Sequence, residues 1–219
     1  MATELEAEVP NESARRRRTR ERLIDAAYEV FAEHGVHAAT VEQIVEEAGF
    51  TRGAFYSNFE SKEELFFALA ERENSRSIRQ LEEGTSRLLN VARDGATLDE
   101  RAIAEIVGSL LALQPDDRRW CLVQSEFRLL AMRNPAVAAR FLDHQQSFRA
   151  ELARVMGSIA ERIRLRFRME ILDVVALVVT VYEAAMQEAI LAGETGITAA
   201  RTRAMRMLPA LIGNLSEPA

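Results

Sequence analysis

Between Thr40 and Lys62 the sequence sets hydrogen-bonding side chains at close spacing: Thr40, Thr51, Arg52, Tyr56, Ser57, Asn58 and Lys62. Hydroxyls, an amide, a guanidinium and an ammonium are the groups that bond phosphate oxygens and base edges. Gly53 and Ala54 lie among them and leave room for close backbone approach. Upstream stands a dense basic run, Arg15-Arg16-Arg17-Arg18-Thr19-Arg20-Glu21-Arg22, densest at Arg15–Arg18. Such a run is often only a solvated charge cluster. Its place ahead of the first helix also suits an arm that contacts phosphates or enters the minor groove. Other chemistry is absent from the pattern. There is no nucleophile–base pair, no His-Glu-x-x-His spacing and no glycine-rich phosphate loop, and His34, His37 and His144 do not cluster with acids. No catalytic residue, metal ligand or cofactor is therefore expected.

These side chains need elements to hold them. Leu23, Ile24, Ala27, Tyr28, Val30 and Phe31 recur at three- and four-residue steps, so a helix runs up to Gly35. Thr40-Val41-Glu42-Gln43 fits a capping box and opens a short helix that Gly49 stops. Thr51 caps a second short helix, Arg52 to Asn58, anchored by Phe55 and Phe59. Ser61-Lys62-Glu63-Glu64 is a further capping box, starting a helix with Leu65, Phe66, Leu69 and Ala70 inward. Two short helices about a glycine turn, preceded by a longer one, are the layout of a helix-turn-helix reader. Its second helix lies in the major groove and exposes Thr51, Arg52, Gly53, Ala54, Tyr56, Ser57 and Asn58. Taken singly, Thr40 and Ser61 are good caps in any protein, and Phe31, Phe55 and Phe59 are core.

The stretch from Ala39 to Leu65, with Phe55-Tyr56-Ser57-Asn58-Phe59 and Lys62-Glu63-Glu64-Leu65 in register, resembles the N-terminal domain of the TetR (tetracycline-repressor-like) family of transcriptional regulators. The motif covers roughly a quarter of the chain. The resemblance implies that Thr40, Tyr56 and Lys62 bind phosphates with Thr51 assisting, and that Arg52, Gly53, Ser57 and Asn58 lie at the groove surface. It departs from the family at Val45, where Ala is usual, and a small repacking is expected. The resemblance also implies a helical C-terminal domain that binds a small molecule and dimerises through its last two helices.

Beyond about residue 80 the pattern changes to long helices. We expect them over Leu98–Leu113, from Pro115-Asp116-Asp117 to Asn134-Pro135, and from about Ala136 to Arg166. Val174 to Tyr182 is β-branched enough for a strand, but its apolar flanks run from Glu170 to Leu191 without a turn, which favours a buried helix. A last helix spans about Thr198 to Leu208 and ends near Pro209. Residues 170–191 and 198–208 would form a four-helix bundle with a second copy. Large or adaptable side chains on the surrounding helices, Trp120, Phe127, Phe141, His144, Phe148, Tyr182 and Met186, are candidates for an apolar effector pocket, though any one of them could be ordinary core.

The fold expected is thus all-α. Residues 1–14 would form a disordered acidic tail, 15–62 the DNA-binding domain, 61–86 a linking fourth helix, and 63–219 the ligand-binding and dimerisation domain. The function expected is a ligand-responsive regulator, a homodimeric repressor released from a palindromic double-stranded operator by a small effector. A chromosome-binding protein with the same fold and no effector is the alternative. One cysteine, Cys121, points to a reducing compartment, and the acidic start is no signal peptide, so a cytoplasmic location is expected. The nine-residue apolar run at Val174–Tyr182 is short of the ~20 residues that span a bilayer. The net charge of −6 is unfavourable for DNA as a total. Its placement matters more. Glu4, Glu6, Glu8 and Glu12 fall in the tail, while Arg15 to Lys62 holds about eight basic and eight acidic residues.

Overall fold

Three left-handed glycines punctuate the described chain, Gly35 (φ 80°), Gly49 (φ 67°) and Gly193 (φ 69°). The first two close the helices that the periodicity predicts. In a computed structural model, which describes residues 9–91, 100–112, 118–194 and 197–219, the helices are α1 (Val9–His34), α2 (Val41–Ala48), α3 (Arg52–Tyr56), α4 (Lys62–Val91), α5 (Glu100–Ala112), α6 (Arg118–Arg133), α7 (Pro135–Arg162), α8 (Ile171–Leu191) and α9 (Ile197–Leu215). The fold is all-α. Two three-residue strands, β1 (Leu165–Phe167) and β2 (Ser216–Pro218), pair antiparallel with Arg166 opposite Glu217.

The chain divides into two units. The first holds residues 1–72 and 122–139, the second 73–121 and 140–219. The boundary differs from a cut at residue 62, because the first turns of α4 and most of α6 belong with the N-terminal helices. In the first unit Leu23, Ala27 and Phe31 of α1, Ile44 of α2, Phe55 of α3, Phe59, and Leu65 and Phe66 of α4 are fully buried. Phe127 of α6 joins them. It stacks on Phe66 with ring centroids 3.5 Å apart and planes at 7°, and meets Phe67 edge-on at 5.2 Å. Val45 is buried without disturbing the turn, and its carbonyl accepts from the Phe50 N–H at 2.7 Å. The larger side chain at this position is accommodated.

In the second unit Ile78 and Leu81 of α4, Leu152, Val155 and Ile159 of α7 and Val175 of α8 form one apolar cluster. Ile103, Val107 and Leu111 of α5 meet Ala185 of α8 and Ala204 and Leu208 of α9 in another. Residues 171–191 are one helix, which resolves the strand-or-helix ambiguity. The flanks that argued for a helix also lengthen its apolar stretch. By length and composition alone α8 would pass for a membrane-crossing helix, a point that counting only Val174–Tyr182 missed.

Three boundaries differ from the sequence reading. Helix α1 begins at Val9, so residues 9–14, read as loose tail, are helical; a proline at position 10 sits in the first turn, where its missing N–H costs nothing. Helix α7 stops at Arg162, four residues before the expected Arg166. Arg164 takes a left-handed φ of 56° and turns the chain into β1. Arg166 and Arg168 then both pair with Glu217 of β2, Arg168 at 3.3 Å. Helix α9 continues through Pro209 to Leu215. Proline removes the hydrogen bond to the carbonyl four residues back. Leu208, Leu211 and Ile212 nevertheless pack on one apolar cluster, and that burial carries the helix across the break. The helix start read at Pro115-Asp116-Asp117 lies outside the described residues.

Candidate nucleic-acid interface

The recognition turn is built from caps. Thr40 Oγ1 accepts from the Gln43 N–H at 3.2 Å and donates to Gln43 Oε1 at 3.1 Å, while Gln43 Oε1 accepts from the Thr40 N–H at 2.9 Å. The capping box predicted at α2 is complete. Thr51 Oγ1 accepts from the Ala54 N–H at 3.3 Å and starts α3. At α4 the box is shifted by one residue. Ser61 Oγ accepts from the Glu64 N–H at 3.1 Å, but the Glu64 carboxylate accepts from the Glu60 N–H, at 2.6 Å, one residue earlier than a capping box would place it.

Three arginines of α1 fasten this turn from outside. Arg16 donates to the Ser57 carbonyl at 3.3 Å, Arg20 to the Asn58 carbonyl at 3.0 Å, and Arg22 to the Ala48 carbonyl at 2.7 Å. Arg20 also lies over the Phe59 ring at 4.2 Å and Arg22 over Phe50 at 4.6 Å. The carbonyls at a helix end lack intrahelical partners and carry negative partial charge, so a guanidinium satisfies both needs. Arg20 and Arg22 belong to the basic run, but the sequence reading gives them no role. The visible signal was the four-residue step from Arg16 to Arg20, which puts both on one helix face. Arg15, Arg17 and Arg18 are exposed. Arg15–Arg18, expected to form an arm that contacts phosphates or enters the minor groove, are helical. The run is part of α1, and a helix ~10–12 Å across does not enter a minor groove ~6 Å wide.

On α3 the side chains part as an amphipathic helix requires. Phe55 is buried and Tyr56 is half exposed, its ring edge-on to Phe55 at 5.2 Å. Thr51, Arg52, Gly53 and Ser57 are exposed, and Ala54 is partly so. A Cβ on Gly53 would meet only Thr51 Oγ1, at an ordinary 3.7 Å, so the protein itself has no need of glycine there. Arg52 Nη1 pairs with Glu42 of α2 at 2.8 Å. A hydrogen bond with Tyr56, and then the charge of Glu42, raise the Arg52 guanidinium further above its ordinary value, so it stays charged.

Two expected contacts take other partners. Asn58 was placed at the groove surface. Its Nδ2 instead donates to the Ala54 carbonyl at 2.8 Å and its Oδ1 is buried without a hydrogen-bond partner, so the amide is turned inward. Lys62 was expected on a phosphate. Its ammonium has three N–H donors, and these reach the carbonyls of Val36 (3.3 Å), His37 (3.5 Å) and Ala39. It closes the α1–α2 turn just before the Thr40 cap. Lys62→Met, which keeps the stem and removes the donors, is expected to cost about 1–3 kcal/mol of stability, since charge-assisted bonds to carbonyls are lost. Urea unfolding without DNA measures this. A purely phosphate-binding lysine would leave the midpoint unchanged.

Of the candidate effector contacts, Phe127 lies in the first unit, committed to the Phe66 stack, and is corrected to core. Trp120, Phe141, His144, Phe148, Tyr182 and Met186 lie in the second unit. Phe141 and Met186 are buried and the other four half-buried. Asn74 Nδ2 of α4 lies 2.9 Å from His144 Nε2, within hydrogen-bond reach. Phe148 packs on the Leu152–Ile159 cluster, and Tyr182 beside Met186 and Ala200.

Residues 23–69 match the family model for bacterial regulatory proteins of the tetR family. The chain is 31% identical over 140 residues to the HTH-type transcriptional repressor AcnR of Corynebacterium efficiens, a match spanning 62% of this chain and 65% of that repressor. It is similar in fold to a TetR transcription regulator from Haloarcula marismortui (TM-score 0.64, 17% identity, covering 91% of this chain and 98% of the other). It is likewise similar to the transcriptional regulator FadR of Bacillus subtilis, solved in complex with stearoyl-CoA (TM-score 0.64, 17% identity, 87% and 97% covered). These relatives are regulators of transcription, not enzymes.

Proposed function

We propose that the chain is a TetR-family regulator of transcription, on the match of residues 23–69 and the likeness to AcnR, and that it acts as a homodimeric repressor that reads a palindromic operator with α3 and leaves it when a small apolar or aromatic molecule binds. The observation that carries the DNA-reading part is the exposed face of α3. It offers Thr51, Arg52, Tyr56 and Ser57 around a glycine that nothing inside the protein requires. A residue that avoids a side chain where the protein has room for one serves an outside surface approaching closely.

Pairing with a second copy is supported by exposed apolar side chains on the last two helices, Leu172, Leu177 and Leu191 of α8 and Met207 of α9. A symmetric pair presents two copies of α3 about 34 Å apart, one turn of DNA, or somewhat wider. The effector is assigned to Trp120, Phe141, His144, Phe148, Tyr182 and Met186, with the Asn74–His144 pair available to a polar group. A ligand there acts only by its different affinity for the two spacings of α3. A cytoplasmic site of action goes with this reading.

Gly53→Ala tests it. Alanine favours helix over glycine by up to about 1 kcal/mol, so thermal stability should hold or rise. Affinity for a duplex enriched from a random-sequence library should nonetheless fall about ten-fold or more, because the added methyl meets the DNA. Fluorescence anisotropy reads the affinity. Unchanged binding by Gly53→Ala would remove α3 from the interface.

A further inference from the structure

Helix α3 spans five residues, and Arg52 is its one basic side chain. That guanidinium has two neighbours. Glu42, on the first turn of α2, takes Nη1 at 2.8 Å, and the Tyr56 ring centroid lies 5.9 Å from Cζ. Both members of the pair are more than half exposed, 61% for Arg52 and 58% for Glu42. An ion pair so exposed contributes little to folding, so stability is a poor reason for it. Placing a carboxylate beside the main cation of a DNA-reading helix also works against affinity, because phosphates repel it.

The arrangement makes sense as a specificity device. A guanidinium can bond guanine O6 and N7 together from the major groove, but only in the right plane. Glu42 engages one end of the guanidinium and leaves donors on the rest of the fork free to point outward. Holding the group before DNA arrives reduces the ordering cost of the correct contact. The same carboxylate penalises every complex in which Arg52 settles on a phosphate instead, which widens the gap between right and wrong sequences.

We infer that Glu42 is a specificity-determining residue that positions Arg52 to read a guanine in each operator half-site. This rests on the reading of α3 as the groove helix. Glu42→Gln keeps the shape and leaves the Thr40–Gln43 cap untouched. Sequence preference is read by selection from a random duplex library, then by affinity for the enriched duplex and for one with the guanine pair replaced.

The wild-type chain is expected to prefer one guanine position by about ten-fold or more. Glu42→Gln should reduce that preference several-fold while binding unrelated duplex more tightly. Arg52→Lys should erase it, since an ammonium lacks the fork. Glu42→Gln added to Arg52→Ala should change the preference no further than Arg52→Ala alone. A Glu42→Gln profile identical to wild type overturns the inference. So does loss of a cytosine preference in Glu42→Gln that Arg52→Ala retains, because Glu42 would then touch the base itself. If the wild-type chain enriches no sequence, the DNA-reading proposal fails together with this one. If Gly53→Ala loses DNA while Glu42→Gln keeps the wild-type profile, this inference alone fails.

Discussion

Phe127→Ala is expected to remove about 3–5 kcal/mol from the stability of the first unit, the usual cost of emptying a phenylalanine site in a core. The ring is fully buried, stacked on Phe66 and edge-on to Phe67. Truncation removes both contacts and leaves a cavity beside α4. Domains of this size hold about 5–15 kcal/mol in total, so the loss is a large fraction. Urea unfolding followed by circular dichroism should show an earlier transition, and DNA binding should weaken in step. Phe127→Leu refills most of the volume and should lose well under half as much. The contrast with an effector contact is clear, since a pocket residue truncated to alanine changes ligand affinity and leaves the ligand-free midpoint near wild type. A midpoint unmoved by Phe127→Ala would return this residue to the pocket.

Gly35→Ala is the second large effect, for two separable reasons. Gly35 has φ 80°, and an L-residue held in left-handed conformation costs roughly 1–2 kcal/mol. A Cβ there would also lie 2.6 Å from Glu126 Oε2 of α6, the oxygen that accepts from the Val36 N–H at 2.7 Å. Alanine must push the carboxylate off that N–H. That carboxylate ends a flexible, exposed side chain that can swing aside, so its loss adds at most the ~3 kcal/mol of a hydrogen bond to a charged group, and the two terms together come to about 1–5 kcal/mol. A double-mutant cycle separates them. Glu126→Ala alone should destabilise by losing the bond to Val36. Gly35→Ala in the Glu126→Ala background should cost only the backbone term, and strict additivity of the two changes would refute the clash.

The residues that reach across the turn explain what was legible beforehand. Thr40 with Gln43, Thr51 with Ala54, and the glycines at 35 and 49 act within four residues of chain. Their partners are set by spacing, so caps and stops could be read directly. Tyr56 outward and Phe55 inward follow from helical period alone. Lys62 shows the limit. Its charge and its place at the start of α4 suited a phosphate, but the three carbonyls it meets lie 23 to 26 residues earlier. Asn58 is similar. Its type fits a base edge, yet burial at the end of α3 turns the amide back on its own helix.

Periodicity states which face of a helix is apolar but not what that face will meet. The sequence by itself determined an all-α chain, the order of its first four helices, the helix-turn-helix register and the family resemblance, because each rests on local bonds or on short, dense motifs. Tertiary structure decided the rest. Most of α6, with Phe127, joined the N-terminal helices, α9 ran through Pro209, the basic run became part of α1, and Arg52 found Glu42. Each of these is a choice among apolar or charged partners equally suitable by type. Only the packing of distant segments, which buries the most apolar surface while leaving the fewest donors unpaired, makes that choice.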